Sequence, residues 1–324
     1  MKLLKYFLLI GCFGIIFLNS CRKTIQLNIH EIVVDTLTSR NLEDVVFINK
    51  DTGFIVGGNR YADGLVLSTF DGGATWHLKD AVSPWILYSI VANSKHKLFT
   101  TGIVGRVLTS ANAGAKWDTA QEWGHSNDYQ KIILVNDSLG FAVGGIGTSS
   151  GAIQKFQGNS WSDNLVKISR IANSIQMINS KMGYIAGFGA VFKTTDGGAT
   201  WNLESATGDN FTALHFLNEQ HGFVIGYNGT LLETTDGGNS WNTKRNGNSP
   251  FNASWQFTDI AFSSETVGYI AGANGLLLKT TDGGNHWKKS DYFSSQTIRK
   301  IYIQSPNLIW LAGDGASLFQ LLED

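Results

Sequence analysis

The chain has 324 residues, a formal net charge of −1, 43% hydrophobic residues and only 16% charged residues. This balance excludes a disordered chain, and it provides no bulk electrostatic attraction toward nucleic acid. Glycine is abundant at 37 residues and proline is scarce at 3, which is typical of an all-β protein with many tight turns. The seven histidines and two cysteines show no metal-binding spacing, so we predict no metal site and no cofactor.

The N-terminus has the form of a bacterial export signal. Two lysines precede an apolar stretch at 6–18, which is too short to span a bilayer comfortably. Ser20 then precedes Cys21, as a small residue precedes the lipidated cysteine of a lipobox. We predict a lipoprotein signal peptide over 1–20, lipidation at Cys21 and a tether over 21–28. The protein would be lipid-anchored in the bacterial cell envelope, at the outer membrane or facing the periplasm. A plain secretory signal with an incidental cysteine is the alternative.

One short motif is repeated along the rest of the chain. TTDGGATW at 194–201 returns as TTDGGNSW at 234–241, TTDGGNHW at 280–287 and TFDGGATW at 69–76, with a worn copy, SANAGAKW, at 110–117. A sixth copy keeps little more than its glycine and tryptophan, and the six tryptophans are separated by 41, 44, 40, 40 and 46 residues. A period near 40 residues indicates a repeat architecture.

The residues of this motif suit a turn between two strands. Apolar runs bounded by glycine, such as GYIAG at 183–187 and 268–272, predict short strands joined as hairpins. In the turn, glycines accept positive φ, the aspartate accepts backbone hydrogen bonds, and the tryptophan covers the hairpin. We therefore predict a structural role for this set. Its members are Asp71, Asn112, Asp196, Asp236, Asp282, Trp76, Trp117, Trp201, Trp241 and Trp287.

The motif matches the Asp-box, or BNR repeat, Ser/Thr-x-Asp-x-Gly-x-Thr-Trp, most closely at 69–76 and 194–201. The longer unit is Gly-aromatic-x-x-Gly, then Gly-x-Leu-Leu, then the box. It resembles the seven-bladed propellers of the photosystem II assembly and stability factor family over about residues 30–324. The resemblance implies four-stranded antiparallel blades with the box between the third and fourth strands. We predict an all-β chain with a single seven-bladed β-propeller domain over 29–324.

The blade pattern leaves one strand to be supplied by the N-terminus. It assigns six blades to about 40–80, 88–122, 130–165, 173–206, 211–245 and 257–290. The sequence from 299 onward supplies three strands and no box. The first inward apolar residue of a blade usually follows the preceding box tryptophan by 13 to 15 positions, and counting back 14 from Val45 reaches Glu31. We predict that 29–35 is the outermost strand of blade 7 and closes the ring, which removes an open edge.

Two groups of residues are candidate binding sites. The family pattern places the loops between second and third strands, and those between blades, on one face of the propeller. Loops on a rigid scaffold commonly carry function. The candidate binding face on that side consists of Arg60, Tyr61, Trp85, Trp123, Tyr129, Trp255 and Tyr292. The alternative is that these aromatic side chains form local cores beneath long loops.

The second candidate site is a ring at one end of the central channel. One residue next to the first inward apolar residue of each innermost strand should face this ring. Its charged members are Asp44, Lys131, Asp259 and Lys300. They can bind a small polar group, or they can neutralise one another at a solvated channel mouth.

We expect a non-catalytic binding or assembly scaffold, which is also the role that the family resemblance implies. The expected partner is another envelope protein or a glycan, with the membrane contacted through a lipid anchor only and no nucleic acid bound. Whether the chain is an enzyme stays open, with the non-catalytic role favoured. The alternative is an Asp-box glycoside hydrolase of sialidase type, or a glycan-binding protein. The arginines are scattered, and no pair of carboxylates stands out as a hydrolytic pair.

Overall fold

The computed structural model describes residues 24–34, 37–123 and 126–323, apart from the side chains of Asp80 and Ala81. Seven antiparallel sheets of four strands, one with a short additional strand, form the blades of a propeller. Their innermost strands contact one another in a closed ring. The prediction of an all-β seven-bladed propeller is therefore confirmed. Residues 1–23, with the predicted signal peptide and Cys21, lie outside the described residues. Within the described ranges no helix is long and apolar enough to cross a membrane.

The first strand in the chain is β1 Asn28–Glu31. Blade 1 contains β2 Asn41–Phe47, β3 Gly53–Asn59, β4 Asp63–Thr69 and β5 His77–Ser83. Blade 2 contains β6 Leu87–Ala92, β7 Leu98–Gly102, β8 Arg106–Ser110 and β9 Asp118–Glu122. Blade 3 contains β10 Asp128–Asn136, β11 Leu139–Ile146, β12 Ser150–Gln157, β13 Ser160–Trp161 and the additional β14 Val166–Ile168.

Blade 4 contains β15 Ala172–Met177, β16 Gly183–Gly187, β17 Ala190–Thr194 and β18 Asn202–Leu203. Blade 5 contains β19 Phe211–Phe216, β20 Gly222–Gly226, β21 Leu231–Thr234 and β22 Asn242–Arg245. Blade 6 contains β23 Phe257–Phe262, β24 Gly268–Gly272, β25 Leu277–Thr280 and β26 Lys288–Lys289. Blade 7 contains β27 Ile298–Ser305, β28 Leu308–Gly313, a 3₁₀ turn at Asp314–Ala316 and β29 Leu318–Leu322.

The N-terminal strand closes the ring as the sequence predicted. Strand β1 pairs antiparallel with β29, with Glu31 opposite Phe319, so blade 7 is built from both ends of the chain. The strand is shorter than the predicted 29–35, because the chain leaves the sheet and buries Val34 in the core of blade 1. Before β1, the N–H of Ile25 donates to the carbonyl of Lys289 in blade 6 at 2.9 Å. The N-terminal segment therefore holds blades 6 and 7 together.

A recurring aromatic contact packs five of the seven blades against the next blade. A buried aromatic side chain from the second strand of one blade lies beneath the second glycine of the box in the following blade. The pairs are Trp310 with Gly73, Phe54 with Gly114, Phe141 with Gly198, Tyr184 with Gly238, and Phe223 with Gly284. Among the box tryptophans, only Trp76 and Trp161 are fully buried. The second-strand aromatics therefore fill more of the space between blades than the box tryptophans do.

The box aspartates hold their turns together through hydrogen bonds. In blade 1 the Thr69 hydroxyl donates to Asp71 at 2.8 Å and accepts the N–H of Gly73 at 2.9 Å. The N–H and hydroxyl of Thr75 donate to the two Asp71 oxygens at 2.9 and 2.5 Å. These hydrogen bonds, the Thr75 hydroxyl first, lower the pKa of Asp71 to about 2. The same arrangement recurs at Asp196, Asp236 and Asp282.

This geometry predicts an acid sensitivity that asparagine would remove. The pKa is lowered from 3.8 to about 2 in Asp71, Asp196 and Asp282, so their ionised forms favour the folded state. That stability is fully present above pH 3.8 and is lost as the pH falls toward 2. We expect the triple Asp→Asn variant to show a shallower loss of melting temperature over this range. Asn112 shows that an amide oxygen fits the box, because it accepts the N–H of Lys116 at 2.9 Å. An unchanged acid profile in the variant would contradict the prediction.

Candidate functional site

The channel mouth is built by a β-bulge near the start of every innermost strand. The residues immediately after the bulge form the ring that the sequence singled out: Asp44, Ser89, Lys131, Ser174, Ala213, Asp259 and Lys300. The bulged residues form a second ring that the sequence analysis missed: Glu43, Tyr88, Gln130, Asn173, Thr212, Thr258 and Arg299. All of these except Ser89 line a cavity of about 600 Å³. A bulge turns two neighbouring side chains toward the channel where a regular strand would turn one.

The first ion pair of the ring is centred on Asp44, which is almost completely buried. It accepts hydrogen bonds from Lys131 Nζ at 2.7 Å, from the Ser89 hydroxyl at 2.7 Å and from the N–H of Ile90 at 3.2 Å. Burial alone would raise the pKa of Asp44, but Lys131 outweighs it and holds the pKa below its usual value. The pair is thus a buried link between blades 1, 2 and 3.

The second ion pair links blades 6 and 7 in the same way. Asp259 accepts from Lys300 Nζ at 2.8 Å and from the N–H of Ile301 at 2.9 Å. Burial lowers the pKa of the Lys300 ammonium, but Asp259 and Asp44 outweigh it, so the pKa is raised. The four charged ring residues therefore neutralise one another, and both carboxylates bind a neighbouring blade.

Glu43 and Arg299 lie next to these pairs in the ring of bulged residues. Arg299 Nη1 lies 3.4 Å from Glu43, and its Nε contacts Asp314. Burial raises the pKa of Glu43 to about 7 against the opposing charge of Arg299, and the nearby carboxylates of Asp314 and Asp44 add to the rise. Each of these residues directly precedes a ring residue in the sequence. That position indicates a side chain facing the channel only when the β-bulge is known.

Most of the residues that line the cavity come from blades 4, 5 and 6. Ser174 and Ala213 occupy adjacent positions of the ring and have small side chains. They leave space in the channel of the kind that Lys131 and Lys300 fill in blades 3 and 7. Below them lie Gln176 and His215. His215 stacks against Phe262 with ring centroids 5.3 Å apart, and burial lowers its pKa to about 4. The channel is therefore open on one side and filled with ion pairs on the other.

Several members of the candidate binding face are not exposed. Tyr129 is fully buried, with its ring 5.2 Å from that of Trp123. Trp123 is half-buried, and its Nε1 donates to the Ser162 carbonyl at 3.0 Å. Both side chains belong to the hydrophobic cluster between blades 2 and 3. They form a local core beneath the loop, because a tryptophan buried with its N–H paired stabilises the fold.

Trp85 and Trp255 are also half-buried. The guanidinium of Arg245 lies 4.5 Å above the Trp255 ring, and the same guanidinium contacts the carbonyls of Gly229 and Ala253. Trp255 thereby fastens the long loop between blades 5 and 6 to the loop within blade 5. Tyr61 is 74% exposed and lies beneath the Arg60 guanidinium, and Tyr292 is 77% exposed. The structure thus leaves Arg60, Tyr61 and Tyr292 as the exposed members of the predicted face.

The sequence analysis missed other exposed apolar side chains on this face. Of the eleven exposed large apolar side chains among the described residues, eight lie in loops or strand ends on the channel-mouth side. They are Val33, Leu37, Tyr61, Ile146, Phe188, Tyr227, Phe251 and Tyr292. Phe188 and Tyr227 directly follow the closing glycine of GYIAG and GFVIG, which is the signal that could have identified them. Most of the exposed large apolar side chains among the described residues therefore lie on one face of the propeller.

Three arginine side chains around this face are paired with carboxylates. Arg60 bonds Asp128 at 2.9 Å, and Arg106 bonds Glu122 at 2.7 Å. Arg40 contacts Asp63 in the same region. Apolar contact, rather than net charge, is therefore what this surface offers a partner. In the described part of the chain, no group of three His, Cys, Asp or Glu side chains could hold a metal ion.

The fold and the repeated boxes define the chain as a seven-bladed β-propeller of Asp-box repeats. The family model described as photosynthesis system II assembly factor YCF48 matches residues 203–297 and 248–318. The structure is similar to that of YCF48 bound to D1 peptide, with a TM-score of 0.73 and 17% identity over 93% of this chain and 98% of that one. The structure of YCF48 from Cyanidioschyzon merolae is also similar, with a TM-score of 0.71 and 17% identity over 91% of this chain and 98% of that one.

The predicted resemblance to the photosystem II assembly factors is thus confirmed, in the sequence of blades 5 to 7 and in the whole fold. The WD40 propeller of Doa1 is also similar, with a TM-score of 0.69 and 11% identity over 92% of this chain and 97% of that one. Likeness at these identities concerns the fold alone. No curated protein sequence matches the chain.

Proposed function

We propose that this protein is a non-catalytic assembly scaffold of the YCF48 type, which binds a polypeptide partner on the channel-mouth face. The observation that carries the proposal is the concentration of exposed apolar side chains on that face, among them Phe188, Tyr227 and Phe251. Monomeric surfaces rarely gather such groups unless they serve an interface. Aromatic residues of this kind usually supply most of the binding energy.

Two further observations support a protein partner and a non-catalytic role. One of the YCF48 structures that this chain resembles has a D1 peptide bound. Asp44 and Asp259, the ring carboxylates, are each bonded to a lysine and to a backbone N–H of the next blade. Carboxylates held in this way brace the ring by joining neighbouring blades.

The docking proposal predicts that Phe188→Ser and Tyr227→Ser each lower partner capture without unfolding the protein. Capture would be measured by crosslinking in membranes of the source cells, followed by quantitative mass spectrometry. We expect a loss of about tenfold or more for the double variant, because aromatic anchors dominate interfaces. Melting temperatures should change little, because both side chains are 41–47% exposed.

Phe70→Ser and Leu203→Ser are the matched controls, because these side chains are 55% and 61% exposed but lie away from the channel-mouth face. They should capture the partner as the wild type does. Raising the salt concentration should also leave capture largely intact, since Arg40, Arg60 and Arg106 on this face are already paired with carboxylates. Equal losses in the control variants, or normal capture by the Phe188 and Tyr227 variants, would contradict the proposal.

We also propose that the scaffold is exported and held at the envelope by lipidation of Cys21. The support is the sequence alone: a charged start, a short apolar stretch and a small residue before the cysteine. Two or more acyl chains are needed for stable anchoring, at about 0.8 kcal/mol for each buried CH₂ group.

Cys21→Ser should therefore move the protein from the membrane fraction to the soluble envelope fraction. The measurement is fractionation with a salt wash, checked by metabolic labelling with a fatty-acid analogue. A Cys12→Ser variant is the control, because Cys12 lies within the predicted signal peptide. Retention of the Cys21→Ser protein in washed membranes would show that lipidation is not the anchor.

A further inference from the structure

The innermost strand of each blade has one edge with no neighbouring strand. Along that edge, alternate residues direct their N–H and C=O groups across the channel. The hydrogen bond from Ile178 N–H to the Met182 carbonyl places Ile175 on the free edge of blade 4. The equivalent bonds in blades 5 and 6 place Leu214 and Ile260 on their free edges. All three residues line the cavity.

In blades 2 and 7, a polar side chain from the preceding blade caps the free edge. Asp44 accepts the N–H of Ile90, and Asp259 accepts that of Ile301. One layer deeper, the Gln176 amide accepts the N–H of Phe216 at 2.7 Å and donates to its carbonyl at 3.0 Å. Tyr302 caps Phe47 in the same manner, at 3.0 and 3.3 Å. Capping by the preceding blade is thus a repeated device of this channel.

The cap is missing beside the cavity. The ring residues that precede blades 4, 5 and 6 are Lys131, Ser174 and Ala213. Lys131 is turned toward Asp44, and the other two side chains are too short to reach. Within the described residues, the N–H groups of Ile175, Leu214 and Ile260 therefore have no protein acceptor. Backbone N–H groups in the interior of a protein are nearly always paired, so these three need a hydrogen-bond acceptor from water or a ligand.

His215 is the second incomplete feature. It occupies the same position in blade 5 as Gln176 in blade 4 and Tyr302 in blade 7, and it should cap Phe262. Instead its ring stacks on the Phe262 ring, and in the described part of the chain its nitrogens have no hydrogen-bond partner. Because burial lowers its pKa to about 4, the ring is neutral near pH 7. A neutral imidazole presents one donor and one acceptor to the cavity.

Charge and shape restrict the kind of ligand. Lys131 and Lys300 are each bonded to an aspartate, so a charged ligand would lose its hydration without finding a free counter-charge. A neutral ligand rich in hydroxyl groups can bond the edge amides, the edge carbonyls and His215 together. Tyr227 lies at the rim, 47% exposed, and offers an aromatic face for stacking. The volume of about 600 Å³ is typical of small-molecule sites.

We propose that the cavity beside blades 4, 5 and 6 binds a small uncharged saccharide, of one or two sugar units. Its hydroxyl groups pair with the free edges at Ile175, Leu214 and Ile260 and with His215, and one sugar face lies against Tyr227. This site is additional to the protein-docking face and shares only Tyr227 with it, because the groups that pair with the sugar hydroxyls lie inside the channel rather than on the loops.

The test is calorimetric titration of the purified chain with maltose, cellobiose, lactose and N,N′-diacetylchitobiose, up to about 10 mM to detect weak binding. Glucuronic acid and the neutral amide acetyl-asparagine amide are the contrasting probes. At least one neutral disaccharide should bind, and glucuronic acid should bind more weakly.

Ala213→Leu fills the cavity and should abolish binding, whereas His215→Phe keeps the ring contact with Phe262 and should weaken binding about tenfold. His77→Phe is the matched control, since His77 is exposed on the outer strand of blade 1.

Melting temperatures of all variants identify any that fail to fold. Absence of heat with all four neutral saccharides would overturn the proposal, as would binding that survives Ala213→Leu. A preference for glucuronic acid would contradict the neutral class. Binding of the amide probe alone, lost in Ala213→Leu, would assign the cavity to a polypeptide segment instead. Loss of partner capture in the Phe188 and Tyr227 variants is a separate readout and would stand under any of these results.

Discussion

Replacing Gly73 with alanine should destabilise the protein far more than the same change at its neighbour Gly72. Both glycines have positive φ, at +91° and +74°, so each alanine costs about 1–2 kcal/mol of backbone strain. A methyl group on Gly73 would also overlap the ring of Trp310, whereas one on Gly72 approaches only a carbonyl at 3.3 Å. Overpacking a filled core adds about 1–3 kcal/mol.

Trp310 cannot move away from this overlap easily. It is fully buried, and its ring centroid lies 5.3 Å from that of Phe47 and 5.7 Å from that of Trp76. Urea unfolding of the two alanine variants measures the difference directly. A double variant, Gly73→Ala with Trp310→Leu, should recover part of the added cost, because the two changes act on one contact. Equal destabilisation by the two single variants would show that the contact between blades 7 and 1 contributes little.

Deleting residues 25–31 should unfold or aggregate the propeller. The deletion removes the outermost strand of blade 7 and leaves the free edge of β29 exposed for pairing with another molecule. Full burial of an isoleucine is worth about 1.5–3 kcal/mol, so the half-buried Ile29 contributes part of this. Each lost ladder hydrogen bond adds about 0.5–1.5 kcal/mol. Chromatographic size and thermal melting measure the outcome. A deletion variant that stays monomeric and melts within a few degrees of the parent would remove this strand from the account of stability.

A pair of point variants separates strand pairing from side-chain packing. Ile29 is half-buried and packs on the cluster that contains Phe319 and Leu321, whereas His30 is exposed on the same strand. Ile29→Asp should lower the melting temperature strongly, because it places a charge against an apolar cluster. His30→Asp should have a small effect. Similar effects at the two positions would contradict the assigned register, in which only one side of the strand faces the core.

The sequence alone determined the architecture, because the same turn motif is repeated several times along the chain. Each box has a turn chemistry that only a few residues satisfy, and the spacing near 40 residues fixes the number of strands between boxes. The same spacing predicted the ring closure. Blade 7 lacked one strand, and Glu31 precedes Val45 by the number of residues expected for the fourth strand of a blade. The structure pairs Glu31 with Phe319 in blade 7.

The tertiary structure decided which of the candidate residues are accessible and which side of the channel is open. Trp123 lies in a connection between blades as predicted, whereas Tyr129 lies in strand β10 and not in a loop. Only packing shows that both side chains join the hydrophobic cluster between blades 2 and 3. The ring residues could be located by counting along the chain. Which of them form ion pairs depends on how far each side chain extends toward a neighbouring blade. Lys131 bonds Asp44 across 87 residues of sequence, whereas Ala213 has no polar side-chain atom and packs in a hydrophobic cluster. Exposure and pairing are properties of neighbours that are distant in sequence, and a local pattern carries no information about them.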